Sequence, residues 1–171
     1  MQSKVPVLIK KAPFIFTLAL ILSSLSLFVF GSDENTPKSK IKFELTDING
    51  DVWNSKDLEG SIVVFNFWFS SCPPCKKEIP ELNKLVDEYS DRNVVFIGVS
   101  LNNEDEVENF TYMHPFKYKL IPNGSNFVDA QKISSFPTQL IIDKDGMLVD
   151  KIVGGVSFET MKEQIEKLCN N

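Results

Sequence analysis

Between Ser61 and Tyr89 the chain changes character twice within thirty residues. "SIVVFNFWF" (61–69) is a near-continuous apolar run, as a strand buried on both faces requires. It passes through Ser70 and Ser71 into Cys72-Pro73-Pro74-Cys75. Thereafter Ile79, Leu82, Leu85, Val86 and Tyr89 recur at helical spacing with charges between them. A strand with two faces to cover, joined directly to an amphipathic helix, demands a layered α/β fold. It also places a cysteine pair at the junction.

The remaining pattern agrees. "IKFELTDINGDVWN" alternates around Asn49-Gly50 and predicts a hairpin ahead of the strand. "NVVFIGVSL" (93–101) is a second buried strand. Asn103 is placed to cap a helix with Val107, Phe110 and Met113 on one face and acids in its first turn. A short strand is expected at 117–121 and a helix at 125–133. "TQLIIDKDGMLVDKIVGG" (138–155) reads as a hairpin turning at Lys144-Asp145-Gly146, and Ser157 caps a last helix with Phe158, Met161, Ile165 and Leu168 on its buried stripe. The order after residue 61 is β-α-β-α-β-α-β-β-α. Crossover helices require parallel neighbours and the late hairpin adds an antiparallel edge, so a mixed sheet with helices on both faces is expected.

The first 31 residues do not belong to that pattern. Lys4, Lys10 and Lys11 precede "PFIFTLALILSSLSLFVF" (13–30), which carries no charge. This reads as an export signal, with cleavage after Gly31, or as a retained membrane anchor; the run is long enough for either. Both place the rest of the chain across a membrane, in a periplasmic or other extracytoplasmic space. Residues 32–40 read as a polar linker and 41–171 as one domain. Of 18 basic residues three precede Gly31, so 15 face all 23 acidic ones and the exported part carries −8. Such a surface argues against nucleic acid as a partner.

The cysteine pair admits three readings. As a staple it closes a tiny loop and contributes little. As a metal site it supplies two ligands of four, and a copper site would need His114, the single histidine, beside Met113. As a redox couple it is well placed. Cys72 sits at a helix N-cap with Pro73 at the first helical position, where a missing N–H costs nothing. The helix start stabilises a thiolate, and with proline at 73 and 74 the Cys75 N–H should be the chief local partner of the Cys72 sulfur. This predicts an exposed, acidic Cys72 that attacks a substrate disulfide and a shielded Cys75 that resolves the mixed disulfide.

"FNFWFSSCPPCKKEIP", followed far downstream by "SSFPTQLIIDKDG", resembles the thioredoxin superfamily, and within it the exported TlpA/ResA-like thiol–disulfide oxidoreductases. The resemblance covers roughly residues 41–169. It implies a thioredoxin-like fold with an extra N-terminal hairpin, and a redox-active disulfide between Cys72 and Cys75. Pro137 would be the cis-proline beside the pair, with Phe136 offering its backbone to substrate and Trp68 completing the binding region. Pro80 matches the proline of the active-site helix, and Glu78 an acid that moves protons at the cysteines. The implied activity needs no cofactor or metal: reduction of disulfides in a protein substrate, apocytochrome c among them, with electrons from a membrane thiol protein.

The departures are specific. Thioredoxin has an aspartate where this chain has Asn66, and an amide cannot shuttle a proton, which leaves Glu78 or water to do so. Ser71 replaces a usual tryptophan, and Cys169 matches no motif. Two other functions fit a cysteine pair: a thiol peroxidase of the peroxiredoxin-like branch, and a copper metallochaperone using Cys72, Cys75 and His114. The first lacks the Pro and Thr that its family places before the reactive cysteine.

Overall fold

A five-stranded sheet, its strands in the spatial order Lys119–Ile121, Val94–Ser100, Ile62–Trp68, Thr138–Ile142 and Leu148–Val153, organises the chain. The structure is a computed structural model and describes residues 39–170. The expected signal or anchor (1–31) and most of the 32–40 linker lie outside the described residues. Of that linker, Lys40 forms a bridge with Met147, and the Ser39 carbonyl accepts from the Leu148 N–H at 3.0 Å. Among the described residues no helix is long and apolar enough to cross a membrane.

The elements are β1 (Glu44–Thr46), β2 (Val52–Asn54), β3 (Ile62–Trp68), α1 (Pro73–Glu88), β4 (Val94–Ser100), α2 (Glu104–Met113), β5 (Lys119–Ile121), α3 (Ser125–Ala130), β6 (Thr138–Ile142), β7 (Leu148–Val153) and α4 (Phe158–Cys169). β3, β4 and β5 run parallel, whereas β6 pairs antiparallel with both β3 and β7. β1 and β2 form a separate antiparallel pair. Every residue of β3 and β6 is buried, as central strands covered on both sides must be.

Two clusters divide the sheet by side-chain alternation. Val63, Phe65 and Phe67 of β3 pack with Ile97, Val99, Leu140, and Phe127 and Val128 of α3, with Phe43, Leu45 and Trp53 of the hairpin region against them. Ile62 and Val64 point the other way, to Leu82, Leu85 and Tyr89 of α1 and Met161 and Ile165 of α4. Burying each such side chain contributes on the order of 2 kcal/mol.

The local signals act as expected. The Asn103 and Glu106 side chains form a reciprocal capping box, and Ser157 accepts from the Thr160 N–H at 3.2 Å. Asp47, inside the first turn, accepts from the Asn49 and Asp51 N–H groups and from the Trp53 indole at 2.8, 3.1 and 3.1 Å. α3 is shorter than the expected 125–133. Lys132 adopts a left-handed φ of 52°, so the chain turns, and Ile133 donates back to Val128 as the helix stops.

Candidate active site

β3 delivers the chain to the site and β4 holds it there. The Ser70 N–H donates to Asn102 Oδ1 at 2.6 Å, and the Leu101 N–H to the Trp68 carbonyl at 3.3 Å. Cys72 is the N-cap of α1, with prolines at the first two helical positions. Its sulfur accepts from the Cys75 N–H at 3.2 Å, the contact anticipated from the two missing proline donors. The two cysteines are joined in a disulfide, with Cα atoms 5.3 Å apart. The third, Cys169, is free and half-buried at the end of α4.

One expectation is overturned. Cys72 is not exposed: it and Cys75 are each 2% accessible. Both belong to a cluster with Trp68, Val107 and Leu120, against which Phe69, Phe110, Phe116, Tyr118 and Phe136 pack. Sequence spacing places Cys72 at a helix end but does not reveal that α2 and the segment before β6 bring aromatic rings over that end. Being disulfide-bonded, neither sulfur titrates in this form.

Trp68 is buried too, its ring 5.2 Å from Phe110 and 4.8 Å from Phe116 between centroids, and its indole N–H has no partner among the described residues. Phe136 and Pro137 are joined by a cis peptide bond, and the Phe136 ring meets Phe69 edge-on at 5.3 Å. Pro137 accepts from the Gly154 N–H at 2.8 Å, whereas the Phe136 N–H and carbonyl have no backbone partner among the described residues. His114 caps α2 and stacks on Phe110 at 4.4 Å. Among the described residues no three His, Cys, Asp or Glu side chains gather as a metal ion would need, so His114 does not complete a copper set with the cysteines.

Glu78 lies three residues after Cys75, on the same face of α1. At 3% accessible it is the only buried acid besides Asp47 among the described residues. Asn66 donates to Oε1, the Gln139 amide donates to Oε1 and Oε2 at 2.9 and 3.0 Å, and the Val156 N–H donates to Oε2 at 3.3 Å. Burial pushes its pKa up from the ordinary 4.5 to about 7, against the downward pull of the bonds from Val156, Gln139 and Asn66. The carboxyl therefore changes charge near neutral pH. The Tyr118 hydroxyl donates to Asn66 Oδ1 at 3.4 Å, and burial, then the Glu78 charge, hold that phenol above its usual range.

Gln139, Tyr118 and the Val156 N–H escape sequence reasoning. A signal for Gln139 exists in hindsight: it is the one polar residue inside "QLII", as Asn66 is inside "VVFNFW", and the β3/β6 register sets the two opposite each other.

Comparison with known proteins agrees with this geometry. The model of the AhpC/TSA family matches residues 38–151. A thiol-disulfide oxidoreductase ResA of Bacillus cereus is 36% identical over 131 residues, 75% of this chain and 73% of that protein. ResA of Halalkalibacterium halodurans is 33% identical over 128 residues, 74% and 73% of the two chains. The solved structure of StoA from Bacillus subtilis superposes with a TM-score of 0.65 at 24% identity, covering 75% of this chain and 99% of that one; this likeness speaks for the fold alone. With a family model over two thirds of its residues and such relatives across three quarters of its length, the chain belongs to the AhpC/TSA family and, within it, to the ResA-like thiol–disulfide oxidoreductases.

Proposed function

We propose that this oxidoreductase works as a reductant of protein disulfides on the far side of a membrane, carried there by residues 13–30 as a cleaved signal or a retained anchor. One observation supports the exchange chemistry most: a carboxyl able to exchange protons near neutral pH follows one helical turn after the inner cysteine of a pair joined at a helix start. In the reduced protein, Cys72 is the nucleophile. The α1 N-terminus and the Cys75 N–H favour its thiolate. It attacks a substrate disulfide, forming a Cys72–substrate disulfide and releasing one substrate thiolate. Glu78 takes the Cys75 proton, and the Cys75 sulfur displaces the second substrate sulfur from Cys72. The product is the disulfide form described above. A membrane thiol protein returns it to the dithiol.

Phe136 and Pro137 form the binding edge, the unpartnered Phe136 backbone pairing with an extended substrate segment. Trp68 supports that edge from beneath. The half-buried Phe69, Phe110 and Phe136 are the rings that must move for a thiol to reach Cys72 in the oxidised form. Apocytochrome c, whose paired thiols must be reduced before haem attachment, is the substrate that the TlpA/ResA-like resemblance implies.

The test is Cys75→Ser in the full chain. Without the resolving sulfur, substrates should accumulate as mixed disulfides on Cys72, released by dithiothreitol and identifiable by mass spectrometry. If none accumulates while the protein is folded and its Cys72 thiol is titratable, the exchange mechanism is wrong.

A further inference from the structure

We propose that Gln139 is a positioning residue for proton transfer, its side-chain amide turning over to donate to Glu78 when charged and accept from it when neutral. This deepens the reading of Glu78 as the proton acceptor of Cys75 and rests on it.

The hydrogen bonds around Glu78 lead there. As an anion the carboxylate is fully served, since Asn66, Gln139 and the Val156 N–H all donate to it. A protonated carboxyl carries an O–H and needs an acceptor. The Val156 N–H cannot supply one, and Asn66 presents its amide N–H to the carboxyl while its carbonyl oxygen receives the Tyr118 hydroxyl, so turning it over would break both bonds. Gln139 Oε1 is the acceptor left over: the side chain is 0% accessible, and this oxygen has no partner among the described residues. A half-turn about the terminal side-chain bond exchanges Nε2 for Oε1 at the carboxyl without moving β6. In the described structure Nε2 faces the carboxyl, the orientation that serves the charged acid.

Few other groups can set this equilibrium. On α1 itself the neighbour is Cys75, one turn back. β3 presents Asn66, and the segment entering α4 presents only a backbone N–H. The Tyr118 phenol reaches the carboxyl through Asn66. No lysine, arginine or histidine pairs with Glu78 among the described residues.

Atoms and electrons balance in the transfer. The Cys75 S–H proton passes to the Glu78 carboxylate, and the Gln139 amide turns to accept the new O–H. The Cys75 sulfur forms its bond to Cys72 as the Cys72–substrate S–S bond breaks, and the electron pair leaves on the substrate sulfur. That thiolate takes the proton from Glu78, and the amide turns back.

The experiment uses the full chain and two variants, Gln139→Met and Glu78→Gln. Resolution of a Cys72 mixed disulfide with thionitrobenzoate is followed by stopped flow from pH 5 to 9, and the Glu78 carboxyl is titrated by carbon-13 NMR. Gln139→Met removes two bonds to the anion but only one to the neutral acid, so it should move the Glu78 midpoint and the resolution profile upward together by about one pH unit, which slows resolution about fivefold at pH 7. An unchanged or lowered midpoint overturns the role of Gln139. Glu78→Gln should remove the step near pH 7 and leave only the rise from ionisation of Cys75 itself at higher pH; if the step near pH 7 persists, the reading of Glu78 fails instead. The unsubstituted protein gives a check that does not depend on the variant folding. Nuclear Overhauser contacts of the Gln139 amide protons must change sides between pH 5 and 9, and identical contacts at both would refute the turn.

Discussion

Burying an ionisable acid makes folding depend on pH, and Glu78→Gln measures by how much. In the folded chain Glu78 holds its proton up to about pH 7, whereas in the unfolded chain a glutamate releases it near 4.5. Between those values the folded state binds the extra proton. Stability contributed by this group is therefore complete below about pH 4.5 and is lost as pH rises through about 7. At about 1.4 kcal/mol per pH unit the loss comes to about 3 kcal/mol, a large share of a domain's total stability. Glutamine at 78 stays neutral, so the variant lacks this slope. Any hydrogen bond that the substitution weakens adds a constant offset, which leaves the slope difference intact. The assay is urea unfolding of the oxidised protein at half-unit steps from pH 4 to 8.5, fitted by linear extrapolation. The oxidised form is chosen because Cys75 cannot titrate in it. Relative to the unsubstituted chain, the variant should gain about 3 kcal/mol across the range. A difference constant to within about 0.5 kcal/mol would mean that Glu78 is ionised at an ordinary pH, and the proposed proton transfer would lose its basis.

Two further expectations concern the frame around the site. At Asp47 burial pushes the carboxyl up, but the bonds from Asn49, Trp53 and Asp51 outweigh it and hold the pKa below 3.8. Its contribution is present above pH 3.8 and fades as pH falls through the lower folded value. Asp47→Asn should therefore flatten the acid limb of a stability profile below about pH 4, and an unchanged limb would contradict that. At Gly124 a Cβ would overlap the Val99 side chain and lie 2.9 Å from the Ser100 carbonyl oxygen. Gly124→Ala should lower stability by about 1–3 kcal/mol, read as a lower urea midpoint at unchanged slope, and a neutral result would show that the α3 start can shift freely.

Much of the molecule is legible in its residues alone. Apolar runs, helical spacing, the Asn103 and Ser157 caps and the two glycine turns act over a few residues, and, the early stop of α3 at Ala130 aside, each element forms where its own segment asks for it. The same holds for the Cys75 N–H on the Cys72 sulfur, which follows from two prolines and a helix start. What failed or went unseen depends on distant segments. Cys72 is covered by residues from α2 and from the approach to β6. Gln139 matters only because β6 pairs with β3 in one register and not the next, and a slip of one residue would turn it to the other face.

The chain by itself therefore determined the layered fold, the position of a cysteine pair at a helix start, and an acid one turn further on, because these rest on short-range sterics, capping and periodicity. Only the tertiary structure decided that the sulfur pair is enclosed and that the acid is buried among four hydrogen bonds with a pKa of about 7. Burial and strand register bring together residues more than seventy positions apart, and desolvation, which sets the chemistry of Glu78, does not exist until they meet.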